Sequence, residues 1–192
     1  MDEGGMKAGP IAGVVRFPPG RRYLVIPTDD RAAALAGLSM LAASGRGAQL
    51  AQCAVMWAVR LVGPRAVPGR RETWRPPTTP QRWRALTERW RDEVGPFESI
   101  ALYERPQASR MGIVVTLVAG GRPSSVVKLR GLGDADLRNE SALLARIPAS
   151  IGGVRTPRLI ATGEEEDIGL GWMAMSAVAA SAHRPMSRRG PG

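Results

Sequence analysis

The sequence predicts an α+β protein in which a five-stranded antiparallel sheet and one helix follow a mostly helical N-terminal segment. Short runs of β-branched and apolar residues, separated by Gly, Pro or acidic turns, fill the second half of the chain. Apolar residues with helical spacing dominate residues 31–94. Apolar residues make up 44% and charged residues 23% of the 192 residues, and this balance is typical of a globular domain.

The first residues, 1–13, are rich in glycine and predict a flexible tail. Two short strands are expected over 14–17 and 23–26, on either side of a Pro-Pro-Gly turn. Helices are expected over 31–43, with Asp29 or Asp30 as N-cap, and over 48–62. Residues 14–95 are therefore predicted to form a mostly helical N-terminal extension with two short strands.

The end of this extension combines a loop and a helix. Residues 64–80 are rich in Pro, Arg and Gly and predict a linker or surface loop. A helix is expected over 81–94, with Thr79 as N-cap, and its apolar stripe consists of Trp83, Leu86, Trp90 and Val94. Alternating Arg and Trp is also typical of proteins that bind single-stranded nucleic acid. We favour the simpler interpretation that the tryptophans lie in a core.

Three strands are predicted next, over 98–104, 110–119 and 125–130, with a loop near 106–109 between the first two. A helix over 137–147 follows the third strand, with Asp134 or Asp136 as N-cap.

Two further strands, over 156–163 and 169–175, flank an acidic turn. Residues 176–178 are expected to form an extended connector, and residues 179–192 a disordered tail.

Composition excludes several kinds of site. The only cysteine is Cys53 and the only histidine is His183, so an internal disulfide, a Cys/His zinc site and a Ser/His/Asp triad are excluded. The net charge of +10 would suit nucleic acid, but the arginines are scattered along the chain, and we do not favour that partner. Without a signal-peptide pattern or an apolar run of membrane-spanning length, we expect a cytoplasmic protein with no membrane contact.

Lys128 is one of only two lysines among 27 basic residues, and it lies inside an apolar strand. Alternation places Val126 and Lys128 on one face of this strand, and Val127 and Leu129 on the other.

Glu140 lies on the side of the next predicted helix that also carries Leu137 and Leu144. A carboxylate there needs a cation, since burying an unpaired charge costs roughly several kcal/mol. We therefore predict an ion pair with Lys128. The alternative is that Lys128 lies on an exposed edge strand and that Glu140 meets an arginine.

The order of these elements over about 97–178 resembles the nucleotide-binding N-lobe of the protein-kinase fold. Within that fold it is similar to the aminoglycoside phosphotransferase-like family of small-molecule kinases. The motifs are Val-Val-Lys-Leu-Arg around Lys128, Leu-Arg-Asn-Glu-Ser-Ala-Leu-Leu around Glu140, and Thr-Pro-Arg-Leu-Ile-Ala-Thr-Gly followed by Gly-Trp-Met-Ala-Met-Ser. The resemblance implies that residues 96–178 form a protein-kinase-like N-lobe.

The resemblance also implies ATP as ligand, with Mg in the full-length family. By this resemblance Lys128 contacts the α- and β-phosphates, Glu140 holds the lysine, and Val126 lines the adenine pocket. The backbone of Ser176, Ala177 and Val178 would bind adenine. Ser109 is a candidate phosphate contact in a loop that lacks the protein-kinase Gly-x-Gly-x-x-Gly motif.

The chain departs from the family pattern after Asp167, where no acidic residue follows and His183 precedes Arg-Pro-Met. A catalytic loop and a metal-binding aspartate are thus missing, and we expect a truncated phosphotransferase that is inactive alone. A small-molecule acceptor would need a missing C-terminal lobe. The alternative function is a non-catalytic nucleotide- or partner-binding module. An uncovered apolar face around Leu159, Trp172 and Met175 is expected to promote self-association.

Overall fold

The computed structural model describes residues 11–18, 24–40, 45–104, 112–151 and 153–178. Its main strands are β1 (Ile11–Phe17), β2 (Leu24–Pro27), β3 (Arg71–Trp74), β4 (Ser99–Glu104), β5 (Ile113–Ala119), β6 (Arg122–Gly131), β9 (Leu159–Glu165) and β10 (Leu170–Ser176). The short strands β7 (Ser150–Ile151) and β8 (Val154–Arg155) pair with each other. The helices are α1 (Arg31–Ser39), α2 (Arg46–Val62), α3 (Pro80–Val94) and α4 (Ala135–Leu144).

The eight main strands form one antiparallel sheet in the order β3-β1-β2-β4-β5-β6-β10-β9. The protein is α+β, but the prediction of a five-stranded, protein-kinase-like N-lobe behind a mostly helical extension is wrong. The N-terminal strands join the same sheet because β2 pairs with β4, where Val25 lies opposite Leu102. The segment predicted as a linker contributes β3, whose Trp74 is buried.

Helix α3 covers one face of the sheet with its stripe of Trp83, Leu86 and Trp90, all of them buried. The stripe forms because these residues recur every three or four positions. The side chain of Thr79 caps the helix by accepting a hydrogen bond from the amide of Arg82. The interpretation of these tryptophans as core residues is confirmed.

The tryptophans form a chain of edge-to-face contacts from β3 through α3 to β10. Ring centroids are 5.4 Å apart between Trp74 and Trp83, 5.6 Å between Trp83 and Trp90, and 6.3 Å between Trp90 and Trp172. Trp172 and Met175 are buried and Leu159 is half-buried. The prediction of an uncovered apolar face around these three residues is therefore wrong, since α3 covers Trp172 and α4 packs on the side of Met175.

Helices α1 and α4 pack on the opposite face. Helix α1 lies over β2, β4 and β5, and its N-cap Asp30 accepts a 2.9 Å hydrogen bond from the amide of Ala33. Helix α1 approaches the sheet closely at Gly37, where a Cβ would lie 3.3 Å from the Cβ of Ala101. Helix α4 lies over β10 and β9. The two helices leave part of β5 and β6 between them.

Helix α2 packs against α1 and carries large exposed hydrophobic side chains on its outer side, namely Leu50, Trp57, Leu61 and Val62. Among the helices of the described ranges, none is long and apolar enough to cross a membrane.

An ionic network joins the N-terminal strands to β4. The guanidinium of Arg16 on β1 donates hydrogen bonds to Glu72 on β3 and to Glu104 on β4, and the indole of Trp74 donates to Glu104 at 2.7 Å. Burial disfavours the charge on Arg16, but Glu104 and Glu72 outweigh this effect and raise the pKa of Arg16 above its ordinary value. The network thus connects β1 and β3 to β4.

Candidate functional site

Lys128 lies in β6, a central strand that pairs with β5 on one side and β10 on the other. Val114 and Met173 lie directly opposite Lys128 on these neighbours. Val127 and Leu129 are buried in the core beneath α3, whereas Lys128 projects from the other face with Val126. The predicted alternation is confirmed, and the alternative of an exposed edge strand is wrong.

Glu140 is positioned by the start of α4. The amide of Asp134 donates to the carbonyl of Gly131, and the Asp134 carboxylate caps the helix by accepting a 2.8 Å hydrogen bond from the amide of Leu137. Of the two predicted caps, Asp134 is the one used. Leu137 is buried against Met173, which turns this side of α4 towards the sheet, and Glu140 follows one turn later.

Lys128 donates a hydrogen bond from Nζ to Oε1 of Glu140, so the predicted ion pair is confirmed. The side chain of Lys128 is 24% exposed and that of Glu140 is 38% exposed. An ion pair with this much solvent contact contributes about 0–1 kcal/mol to stability. The pair therefore fixes the position of the ammonium group more than it stabilises the fold.

A second cation lies beside this pair. Arg130 projects from the same face of β6, two residues further along, and lines a shallow pocket with Gly112, Val114 and Lys128. Our reading of the sequence gave Arg130 no role, although the alternation that places Val126 and Lys128 on one face applies equally to it. The pocket is thus lined by two cations, one of which, Lys128, is paired with Glu140.

The face of the sheet that carries Lys128 is covered at the end near Thr116 and Val126. Thr116 on β5 lies opposite Val126 and is buried, and its hydroxyl lies 3.0 Å from the sulfur of Met40, just beyond α1. Val126 itself is half-buried and packs with Met173 and Met175 under α4. Towards Gly112 and Arg130 the described residues of this face are half-buried.

The connector residues predicted to bind adenine already make hydrogen bonds within the chain. The amide of Ser176 donates to the carbonyl of Arg158, and its hydroxyl accepts from the amide of Arg158, both at 2.9 Å. The amide of Ala177 donates to the carbonyl of Ser124 at 3.0 Å. Val178 follows and is exposed. Ser109 lies outside the described residues.

Another cleft, of about 190 Å³, lies on the β9 side of α4 between Leu137, Ser141 and Gly163, and Lys128 does not line it. In the described ranges, no group of three or more His, Cys, Asp or Glu side chains is arranged to hold a metal ion. These residues therefore do not fit a Mg site of their own.

Comparison of the chain with protein-family models, with curated proteins and with solved structures gave no significant match.

Proposed function

We propose that the chain binds the phosphate groups of ATP at Lys128, as the nucleotide-binding part of a small-molecule phosphotransferase. The observation that carries the proposal is the ion pair between Lys128 on a central strand and Glu140 on the helix that follows. In kinase-fold enzymes a strand lysine contacts the α- and β-phosphates while a helix glutamate holds its ammonium group in place. The resemblance of the motifs around Lys128 and Glu140 to those of aminoglycoside phosphotransferase-like kinases also supports ATP binding at Lys128.

The two side chains have distinct tasks in this proposal. The ammonium of Lys128 is a compact positive charge that neutralises phosphate oxygens. Glu140 leaves it few orientations, so less conformational freedom is lost when a ligand binds. ATP supplies the phosphoryl group, and a small-molecule hydroxyl is the acceptor class implied by the resemblance.

A second candidate function is nucleotide binding without phosphoryl transfer. The observation that favours it is that the described residues contain no group able to hold a metal ion, whereas kinase-fold transfer relies on Mg held by an aspartate. A turnover assay separates the two candidates. ADP formation that depends on Mg and on an added sugar or aminoglycoside-like acceptor supports transfer, whereas binding without ADP formation supports the second candidate.

The proposal is tested by calorimetric titration of ATP, with and without Mg, into the wild type, Lys128→Ala and Glu140→Gln. A hydrogen bond between charged groups is worth about 1.5–3 kcal/mol, so we expect Lys128→Ala to weaken binding about 10- to 100-fold. Glu140→Gln should weaken it less, because the ammonium remains.

Matched controls are Arg122→Gln, which removes an exposed cation at the far end of β6, and Asp136→Asn, which removes an exposed carboxylate in the first turn of α4. Both should bind ATP as the wild type does. Failure of the folded wild type to bind ATP, or unchanged binding by Lys128→Ala, would refute the proposal.

A further inference from the structure

Arg130 is a half-buried cation on the same strand as Lys128. Within the described ranges, no ion pair involves Arg130. Its side chain instead lies against the backbone of Gly112, where a Cβ would come within 3.0 Å of Nε and 3.1 Å of Cδ. A Cβ at residue 112 would therefore require the Arg130 side chain to shift by a few tenths of an ångström. The glycine at the start of β5 leaves room for Arg130 beside Lys128.

The spacing of the two cations suits a chain of phosphates. Residues two apart on a strand project from the same face about 7 Å from each other. A compact ammonium and a planar guanidinium with five donors can then contact different phosphate groups of one ligand. Glu140 already balances Lys128, so Arg130 supplies the excess positive charge.

The other end of this surface offers little to a base. Thr116 is covered by Met40, and the amides of Ser176 and Ala177 donate to carbonyls of the chain itself. These two amides could donate to a base only after their present hydrogen bonds were broken. Binding energy is thus concentrated at the phosphate end.

From these observations we infer that Arg130 is a second phosphate ligand, and that the site selects its ligand by the number of phosphate groups and not by the base. The inference rests on the proposed function, because it places the polyphosphate of the nucleotide on Lys128. It goes further by naming Arg130 as the residue that makes the affinity for a triphosphate higher than that for a monophosphate.

The test compares AMP, ADP, ATP, GTP and inorganic tripolyphosphate by calorimetry on the full chain. In the wild type, affinity should rise from AMP to ATP, and GTP should bind within about threefold of ATP, a difference below 1 kcal/mol. Arg130→Gln should weaken ATP and tripolyphosphate about tenfold or more while changing AMP binding about twofold at most. Arg122→Gln is the matched control and should resemble the wild type.

A second variant, Gly112→Ala, keeps both charges and requires the Arg130 side chain to shift by a few tenths of an ångström. It should weaken ATP binding less than Arg130→Gln does, because the guanidinium is shifted but not lost, whereas a general effect of net charge predicts no change. Circular dichroism establishes that each variant is folded.

The outcomes separate the two proposals. ATP binding that needs Lys128 but is unaffected by Arg130→Gln overturns this inference and leaves the proposed function standing. A preference of about tenfold or more for ATP over GTP overturns selection by phosphate number. If the wild type binds tripolyphosphate but no nucleotide, and this binding depends on Arg130, the anion site is supported. ATP is then refuted as its ligand. If the folded wild type binds none of these compounds, both proposals fail.

Discussion

Trp90 on α3 and Trp172 on β10 lie in the core between α3 and the sheet, and they allow a direct test of how this core is stabilised. Trp90 and Trp172 are 0% and 1% exposed, and their rings are 6.3 Å apart. The indole N–H of Trp172 donates to Glu165 at 3.1 Å, whereas the indole nitrogen of Trp90 has no hydrogen-bond partner in the described part of the chain. Replacement of each by phenylalanine removes the same atoms, but only Trp172→Phe also removes a hydrogen bond.

The expected magnitudes follow from that difference. Both variants lose packing, at a cost below the roughly 3–5 kcal/mol of truncating a buried aromatic residue to alanine. Trp90→Phe also removes a buried unsatisfied donor, which relieves a penalty of about 1–3 kcal/mol. Trp172→Phe loses a hydrogen bond to a charged group, worth about 1.5–3 kcal/mol. Trp90→Phe should therefore be the more stable of the two by about 2 kcal/mol or more.

Urea denaturation followed by far-UV circular dichroism measures this difference without relying on tryptophan fluorescence. In a protein of this size, 2 kcal/mol corresponds to a difference of about 4–8 °C in Tm. Trp57→Phe on α2 is the control, since Trp57 is 59% exposed and should change the free energy of unfolding by about 0.5 kcal/mol or less. Equal stability of Trp90→Phe and Trp172→Phe would refute the reasoning.

Two further predictions concern the strand next to Trp172 and the ion pair. Gly163→Ala should cost about 1–3 kcal/mol in urea denaturation, because its Cβ would lie 2.5 Å from the Trp172 ring, whereas Gly131→Ala meets no atom within 4 Å and should cost less. Lys128→Met and Glu140→Gln should each change the free energy of unfolding by about 1 kcal/mol or less, because the pair is partly exposed. A loss of several kcal/mol in thermal melts of either variant would show that the pair is a structural element.

Local periodicity was enough to find most of the helices and strands. The helix predicted over 81–94 is observed as Pro80–Val94, and the strand predicted over 125–130 is the inner part of Arg122–Gly131. The sheet that these elements join was not predictable in the same way. Pairing of β2 with β4 depends on contacts between distant parts of the chain, and a pattern of neighbouring residues does not encode them.

Strand β3 was missed for a related reason. Its four residues, Arg71–Trp74, are mostly polar and lie among prolines and glycines, which predict a loop. The pairing of β3 with β1 and the burial of Trp74 under α3 overrule that local preference.

In the candidate site, too, features set by local periodicity could be predicted and features set by distant contacts could not. The Lys128–Glu140 pair follows from two periodicities, that of a strand and that of a helix, and could be predicted. The cover of Met40 over Thr116 could not, since it comes from an element far away in the chain. The prediction that Ser176 and Ala177 bind adenine did not anticipate the hydrogen bonds that they make to Arg158 and Ser124.

The energetics of position 128 favour a ligand over a structural role. Lys128 lies between Val114 and Met173 on a central strand, where an apolar side chain would bury more surface and need no partner. The ion pair with Glu140 contributes about 0–1 kcal/mol, and apolar replacements of partly buried ion pairs are often neutral or stabilising. Stability alone therefore gives little reason for a lysine here, or for Arg130 two residues later, which makes no ion pair with the described residues. An anion that contacts both would account for the pair of cations, and we therefore expect Lys128→Met to stay folded and to lose the proposed ATP binding.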